Sequence, residues 1–409
     1  MKKIWFLIIM LPVMMLATED NNNGMSVSLE DAVNMAVSNN LTLKNAGLEY
    51  NGTLVNAATS WNTLLPSGGI TLTSNFESLQ AGLSASINIS ASKIISIGKS
   101  IADYKEGKIT YLSAKNKVKK EINELYYYIV LFEKKIELQS SKVAILNGRY
   151  KTASLQLATG SISEIDSLTH DIAFKTGGYE LRKLKDQYNE AVTTLKNTIG
   201  MYDDKKIIFT GVLPEIVDTT TDEKISLQNN NDIALAYSKL QNSKTGTALL
   251  IGDLLPSLNL NYSQPVYSSV STTNFDAASG NLGFSVNIPL QWLLPFSSSQ
   301  SAIIKNQLAV ESYRNNLLAT RQNVATQVNT ISNSIKRLLD DYETLQLSES
   351  LYKSKYQLSV KLYASGSSNY LELKEAENGL FESSLAILNA KYEYAILLLN
   401  FKSILNNEE

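Results

Sequence analysis

Cysteine is absent from the 409-residue chain. That excludes disulfides, thiolate catalysis, cysteine-ligated zinc or iron–sulfur sites and a lipid-modified amino-terminal cysteine. One histidine, His170, is present, so no imidazole cluster can hold a metal. Charged residues make up 19% of the chain, below the roughly 25% of an average soluble domain. The formal net charge is −2, and no Lys/Arg block supplies the concentrated basic face that a nucleic-acid partner requires. Apolar runs are short, and the Ala395–Asn400 run falls far below the about 20 residues a helix needs to cross a bilayer.

The amino terminus carries the one recognisable targeting pattern. Met1-Lys2-Lys3 is a basic start, Ile4 to Leu11 an apolar stretch, and Met15-Leu16-Ala17 precedes a polar run. This predicts a signal peptide over residues 1–17, although Met15 fits the small-residue rule for the cleavage site poorly. Its removal with Lys2 and Lys3 would take the net charge from −2 to −4. The alternative is an uncleaved anchor, for which the run is short.

Proline is scarce, and its placement organises the rest. The seven prolines leave residues 67–213 and 296–409 free of it, and proline-free stretches are where long helices can form. Val118, Ile122, Leu125, Ile129, Phe132 and Ile136 step by threes and fours, as do Val324, Val328, Ile331, Ile335, Leu338, Tyr342 and Leu345. The spacing predicts helices from about Ser92 to Thr159 and from about Ser297 to Ala364, each roughly 100 Å long and packed as a coiled coil. Gly160 and Gly366, each followed by Ser or Asn, supply a C-cap and then a new N-cap, so each helix turns back as a hairpin. Gly177-Gly178 in the first return helix has no explanation at this level.

Upstream of each long helix the period falls to two. Ile70, Leu72 and Phe76 alternate with Thr71, Thr73 and Asn75; Leu83, Ala85, Ile87 and Ile89 alternate with Ser84, Ser86 and Asn88. Leu258, Leu260 and Tyr262, then Leu282, Phe284, Val286 and Ile288, repeat the pattern. Such alternation fits a half-buried soluble sheet. The export signal, the strand lengths and the uncharged Ser/Thr/Asn face favour the wall of a membrane barrel. Leu64-Leu65-Pro66-Ser67 recurs as Leu254-Leu255-Pro256-Ser257, an offset of 190 residues, whereas Gly160 and Gly366 are 206 apart. The 16 extra residues are expected in the connection near Ser268–Gly280. The implied organisation is a first repeat over 18–213 (short helix, β-hairpin 69–90, helical hairpin 92–201) and a second over 214–409 (short helix, β-hairpin 256–289, helical hairpin 297–405).

Two repeats of helix, Leu-Pro-Ser, β-hairpin, very long helix, glycine tip and return helix resemble the TolC-type outer-membrane efflux proteins. The Asn-Pro of that family's short helix stands here as Asn40-Leu41 and Asn231-Asp232. The resemblance implies an α+β membrane protein. Each copy would give four strands to a 12-stranded barrel in the outer membrane and two helical hairpins to a periplasmic tunnel, in a homotrimer. It implies a passive exit duct for small molecules or secreted proteins, docked to a periplasmic adaptor and an inner-membrane pump. The alternative is a periplasmic coiled-coil scaffold or adaptor. Four strands alone cannot close a barrel, and an open edge in lipid is prohibitive, so self-association follows on physical grounds as well.

By the same resemblance, the second-repeat tips would converge on a gated entrance. The family tyrosine is matched by Tyr363, its two acids by Glu372 and Glu375, the first-repeat acid by Asp166, and its arginine position by Ser368. Closure would then rest on packing and on Tyr363 hydrogen bonds. Gly160 and Gly366 would mark the tips where an adaptor docks. No catalytic residue, cofactor or metal is expected: His170 lies near Asp166 and Ser167, but without a nucleophile elbow, and it reads as a solvated helix residue. Lys115, Lys117, Lys119 and Lys120 read as a solvated face, with an adaptor contact as the alternative.

Overall fold

The computed structural model describes residues 25–74, 79–202, 206–217, 230–268 and 280–405. The signal segment, most of the Ser268–Gly280 connection, and Asn75 and Phe76 of the first predicted strand lie outside the described residues. The chain opens with β1 (Met25–Val27), α1 (Leu29–Asn39) and α2 (Leu41–Thr59), followed by the hairpin β2 (Ser67–Ser74) and β3 (Leu79–Ile89). A 68-residue helix α3 (Ala91–Ala158) and its 35-residue return α4 (Glu164–Thr198) complete the first half. After β4 (Ile207–Phe209) come α5 (Asn231–Gly252), β5 (Ser257–Ser268), β6 (Asn281–Asn287), the 67-residue α6 (Ser298–Ala364) and the 36-residue α7 (Tyr370–Leu405).

The heptad residues do what their spacing demands. Val118, Ile122, Ile129, Phe132, Val324, Val328, Ile335 and Leu338 are all buried. Each long helix starts at a serine N-cap, Ser90 accepting from the Lys93 amide and Ser297 from the Gln300 amide, both at 3.3 Å. Since the return helices are half as long, α3 packs against α4 near the tip and against α2 and α5 towards the sheet; α6 packs likewise against α7 and α5.

One asparagine per repeat joins these partners end to end. Asn40 caps α2 by accepting from the Leu43 amide at 3.0 Å, while its Nδ2 donates to the Thr198 carbonyl at the end of α4, 3.1 Å away. Asn230 caps α5 and donates to the Ile404 carbonyl near the end of α7 at 2.9 Å. The residue equivalent to Asn40 is therefore Asn230, not the expected Asn231. Asn231 is already helical, and a cap must stand outside the helix to reach its free amides.

The strands form one antiparallel sheet in the order β2-β3-β5-β6. Register puts Ile70 opposite Leu83, Ile87 opposite Leu260 and Leu260 opposite Phe284 on one face. Ser67 faces Ser86, and Asn88 is hydrogen-bonded to Asn259, on the other. Among the described residues nothing covers the apolar face: Ile70 is 74% exposed and Phe284 77%. β3 passes to α3 through Ser90 alone, whereas nine residues, Ile288–Phe296, separate β6 from the cap Ser297. The extra length of the second repeat is thus shared between the hairpin connection and this segment, instead of residing near Ser268–Gly280 only. Pro289, which has no N–H to give a ladder, fixes where β6 stops.

The larger of the two buried clusters lies midway along α3. There β1 and β4 pair in parallel, a strip too short to show a period in the sequence. Fully buried Tyr126 of α3 donates to the Val27 carbonyl at 3.0 Å, among Ala36, Ile122, Ile129, Leu195 and Phe209. Gly211 is required beside it, because a Cβ there would stand 2.4 Å from the Tyr126 ring. Gly177 has a parallel explanation. A Cβ would meet Leu146 at 2.9 Å, and its carbonyl accepts from Gln139 Nε2 at 3.0 Å, so glycine lets α4 approach α3. Gly178 faces open space, and nothing in the structure explains it.

Both layers end in open edges. The helices stand in the row α4-α3-α7-α6, and each edge helix exposes apolar side chains near its tip: Ile165, Leu168 and Ile172 on α4, and Leu347, Leu351 and Leu358 on α6. The sheet ends likewise at β2 on the α4 side and β6 on the α6 side.

Candidate functional site at the hairpin tips

The two tips are built by the same local chemistry. At the end of α3, Gly160 adopts φ +70°, and the Ser161 amide reaches back to the Gln156 carbonyl at 2.8 Å. At the end of α6, Gly366 adopts φ +74°, and the Ser367 amide reaches the Leu362 carbonyl at 2.9 Å. Only glycine enters this left-handed region without strain, and the bonds satisfy carbonyls that the helix end leaves free.

The expected acids stand where the return helices begin. Ser163 caps α4 by accepting from the Asp166 amide at 3.1 Å, and its hydroxyl donates to the Asp166 carboxylate at 2.7 Å. Asn369 accepts from the Glu372 amide at 2.9 Å, and Ser368 Oγ donates to the Glu372 carboxylate. Asp166 and Glu372 are thus equivalent N-terminal carboxylates, stabilised by the free amides and positive dipole end of their helices. Ser368 thereby holds Glu372 in place. Glu372 and Glu375 are both exposed on the first turns of α7.

Tyr363 lies in the last turn of α6, 40% exposed. Its ring meets that of Tyr370, centroids 6.3 Å apart, and Tyr370 in turn meets His170 of α4 edge-on at 4.3 Å. Beneath this row an ion pair joins the two hairpins: Arg149 of α3 donates to Glu377 of α7, their side chains 16% and 8% exposed. Lys142 of α3 lies beside it, its Nζ 4.1 Å from the centroid of Phe381 and donating to Asn378 at 3.2 Å. Burial lowers the Lys142 pKa, with Glu377 opposing.

Sequence reasoning did not find Arg149, Tyr370 or Glu377, because the three become neighbours only when α3 packs on α7. His170 is corrected. It is partly buried against Tyr370, its Nδ1 has no hydrogen-bond partner, and burial, aided by the Arg149 charge, lowers its pKa below the ordinary 6.5. The Tyr370 hydroxyl is pushed up by burial. Among the described residues no group of His, Asp and Glu could hold a metal, and no helix is long and apolar enough to cross a membrane.

Two clefts accompany these elements. One of about 570 Å³ runs between α4 and α7 over α3, lined by Leu146, Ile172, Phe381, Lys142 and Lys374. Another of about 530 Å³ sits at the start of α5; Lys117 and Lys120 of the expected solvated face line it with Asn230 and Asp232.

A family model described as outer membrane efflux protein matches residues 224–407. No curated protein matches the chain by sequence. Among solved structures, CusC, described in terms of folding and transmembrane channel formation, is 17% identical with a TM-score of 0.80, the match covering 96% of this chain and 95% of that one. The Campylobacter jejuni CmeC outer membrane channel is 18% identical with a TM-score of 0.80, covering 93% and 87%. The Neisseria gonorrhoeae MtrE outer membrane channel, in its open state, is 16% identical with a TM-score of 0.76, covering 92% and 88%. At these identities the likeness establishes the fold.

Proposed function

We propose that the protein is the outer-membrane exit duct of a tripartite efflux or type I secretion system, a reading supported by the match of residues 224–407 to the outer membrane efflux protein model and by the fold the chain shares with solved outer membrane channels. The observation that carries this reading is the pair of open edges. A four-stranded sheet with an uncovered apolar face is untenable in water, and one with free edges is untenable in lipid. Head-to-tail closure by β6 of one copy against β2 of the next completes a barrel, and α6 against α4 completes the helical layer. Three copies give twelve strands, within the known range of such barrels. The apolar face then meets lipid, and the Ser/Thr/Asn face lines the water-filled lumen.

In this reading the tips form the periplasmic entrance, with Tyr363, Ser368, Glu372, Glu375 and Asp166 lining it and Gly160 and Gly366 shaping the loops that meet a periplasmic adaptor, itself joined to an inner-membrane pump. Transport is passive, and no residue is assigned a catalytic role. Threefold symmetry puts six glutamates from Glu372 and Glu375 around one opening, and low-dielectric walls focus their field on passing cations. Planar-bilayer recording tests the entrance. The wild-type channel should be cation-selective and blocked by divalent or trivalent cations. Combining Glu372→Gln with Glu375→Gln should abolish both properties, because the amide keeps an acceptor for Ser368 and removes only charge. Selectivity and block that survive the double substitution would overturn the ring.

A further inference from the structure

The nine residues between β6 and α6, Ile288-Pro289-Leu290-Gln291-Trp292-Leu293-Leu294-Pro295-Phe296, are not needed to pass from strand to helix. The first repeat makes the same passage through Ser90 alone. Gln291 is the one polar side chain in the segment, and no charged residue occurs anywhere from 277 to 304. At the matching junction of the first repeat stands Lys93, whose Nζ donates to the Asn88 carbonyl at 3.0 Å; the second repeat has Gln300 at the corresponding position after its cap.

The segment is a fixed structure with its apolar side chains turned outward. The Leu293 amide donates to Leu290 O at 3.1 Å, the Ser297 amide to Leu294 O at 3.2 Å, and Gln300 Nε2 to Trp292 O at 2.8 Å. Ile288, Leu290, Leu293 and Leu294 are each more than half exposed, and Trp292 is 42% exposed. Phe296 is 98% exposed and adopts φ 62°, a left-handed conformation that a bulky L residue adopts only under constraint. The fold therefore holds a strained backbone that projects an aromatic ring away from the described residues of its own protomer, where it packs on nothing.

We infer that Ile288–Phe296 is an interfacial membrane anchor, lying in the headgroup–acyl boundary of the periplasm-facing leaflet with Trp292 and Phe296 as its inserted side chains. The inference rests on the channel reading, which puts β6 in lipid. Three observations select lipid as the occupant. The segment continues directly from the lipid-facing row Leu282, Phe284 and Val286 of β6. Its place between the sheet and the helices is the level of the membrane boundary, where Trp is favoured for its apolar body and polar N–H. Its uniformly apolar, uncharged composition suits insertion as a monotopic element.

Tryptophan fluorescence of the full chain, reconstituted in phosphatidylcholine vesicles, tests this. Trp5→Phe with Trp61→Phe leaves Trp292 as the sole reporter. Its emission should be blue-shifted, should be quenched by lipids brominated near the top of the acyl chain, and should resist aqueous iodide, as expected of a Trp seated at the headgroup level. Bromines near the methyl end should quench less. A second variant, Phe284→Trp with all three native tryptophans replaced by Phe, reports the strand. Strand quenching by bromolipid together with iodide access at Trp292 would overturn the anchor and leave the channel intact. Strand quenching with Trp292 shielded from both quenchers would overturn it in favour of burial against a second copy. Absence of bromolipid quenching at both positions would remove the membrane reading and the anchor with it.

Discussion

The Arg149–Glu377 pair offers the sharpest test of how the tips hold together. It joins α3 of the first hairpin to α7 of the second, so any opening that separates the hairpins must break it. Both side chains are largely buried, 16% and 8% exposed, so removing one partner leaves a charge without compensation, at a cost of about 3 kcal/mol. Lys142, drawn to the same carboxylate, loses one of the two glutamates that oppose its burial and keeps Glu382. Glu377→Gln should therefore shift the opening equilibrium by up to roughly a hundredfold, read as raised open probability and conductance in planar bilayers. Arg149→Met should do the same. Arg149→Met combined with Glu377→Leu leaves no buried charge, and apolar replacement of both partners is often neutral, so the double variant should return towards wild type. Unchanged conductance in the single variants, or strictly additive effects in the double, would refute the coupling.

Three further outcomes are expected. Arg at Ile87 or Val286, on the apolar face, should cost about 2–4 kcal/mol near the midplane and lower trimer yield, whereas Arg at Ser86 or Ser285 should be tolerated; equal yields would remove the face assignment. Gly177→Val should destabilise the detergent-solubilised protein by about 1–3 kcal/mol through overpacking against Leu146, while Gly178→Ala, facing open space, should raise helix stability by up to about 1 kcal/mol; thermal melts of the two variants separate these signs. Because the His170 pKa is lowered in the folded protein, the unfolded chain binds the proton first, and stability should fall as pH drops below the ordinary 6.5 towards the folded value. His170→Phe should show a shallower loss of melting temperature over that range, and an identical slope would refute the assignment.

The hairpins, the strand faces and the repeat were legible because each rests on a local or periodic rule. Proline-free heptads gave α3 and α6 their bounds to within a residue or two, since coiled-coil packing needs only that spacing. Alternation assigned Ile87 and Phe284 to one face, because side chains on a strand alternate by geometry. Glycine at 160 and 366 announced the tips through its left-handed conformation.

What tertiary structure decided is everything that depends on which helix meets which. The row α4-α3-α7-α6 brings Arg149 to Glu377 and His170 to Tyr370, pairs separated by 228 and 200 residues in three of the four helices. No periodicity encodes such a meeting; it follows from β3 pairing with β5, which sets the two repeats side by side. The same packing turned Gly177 from an apparent weakness into the point of closest approach between α4 and α3. It also exposed the nine residues before α6 as a departure from the repeat. A sequence can show that residues are extra, but only the folded chain shows that they point outward, because exposure belongs to the whole arrangement and not to any residue in it.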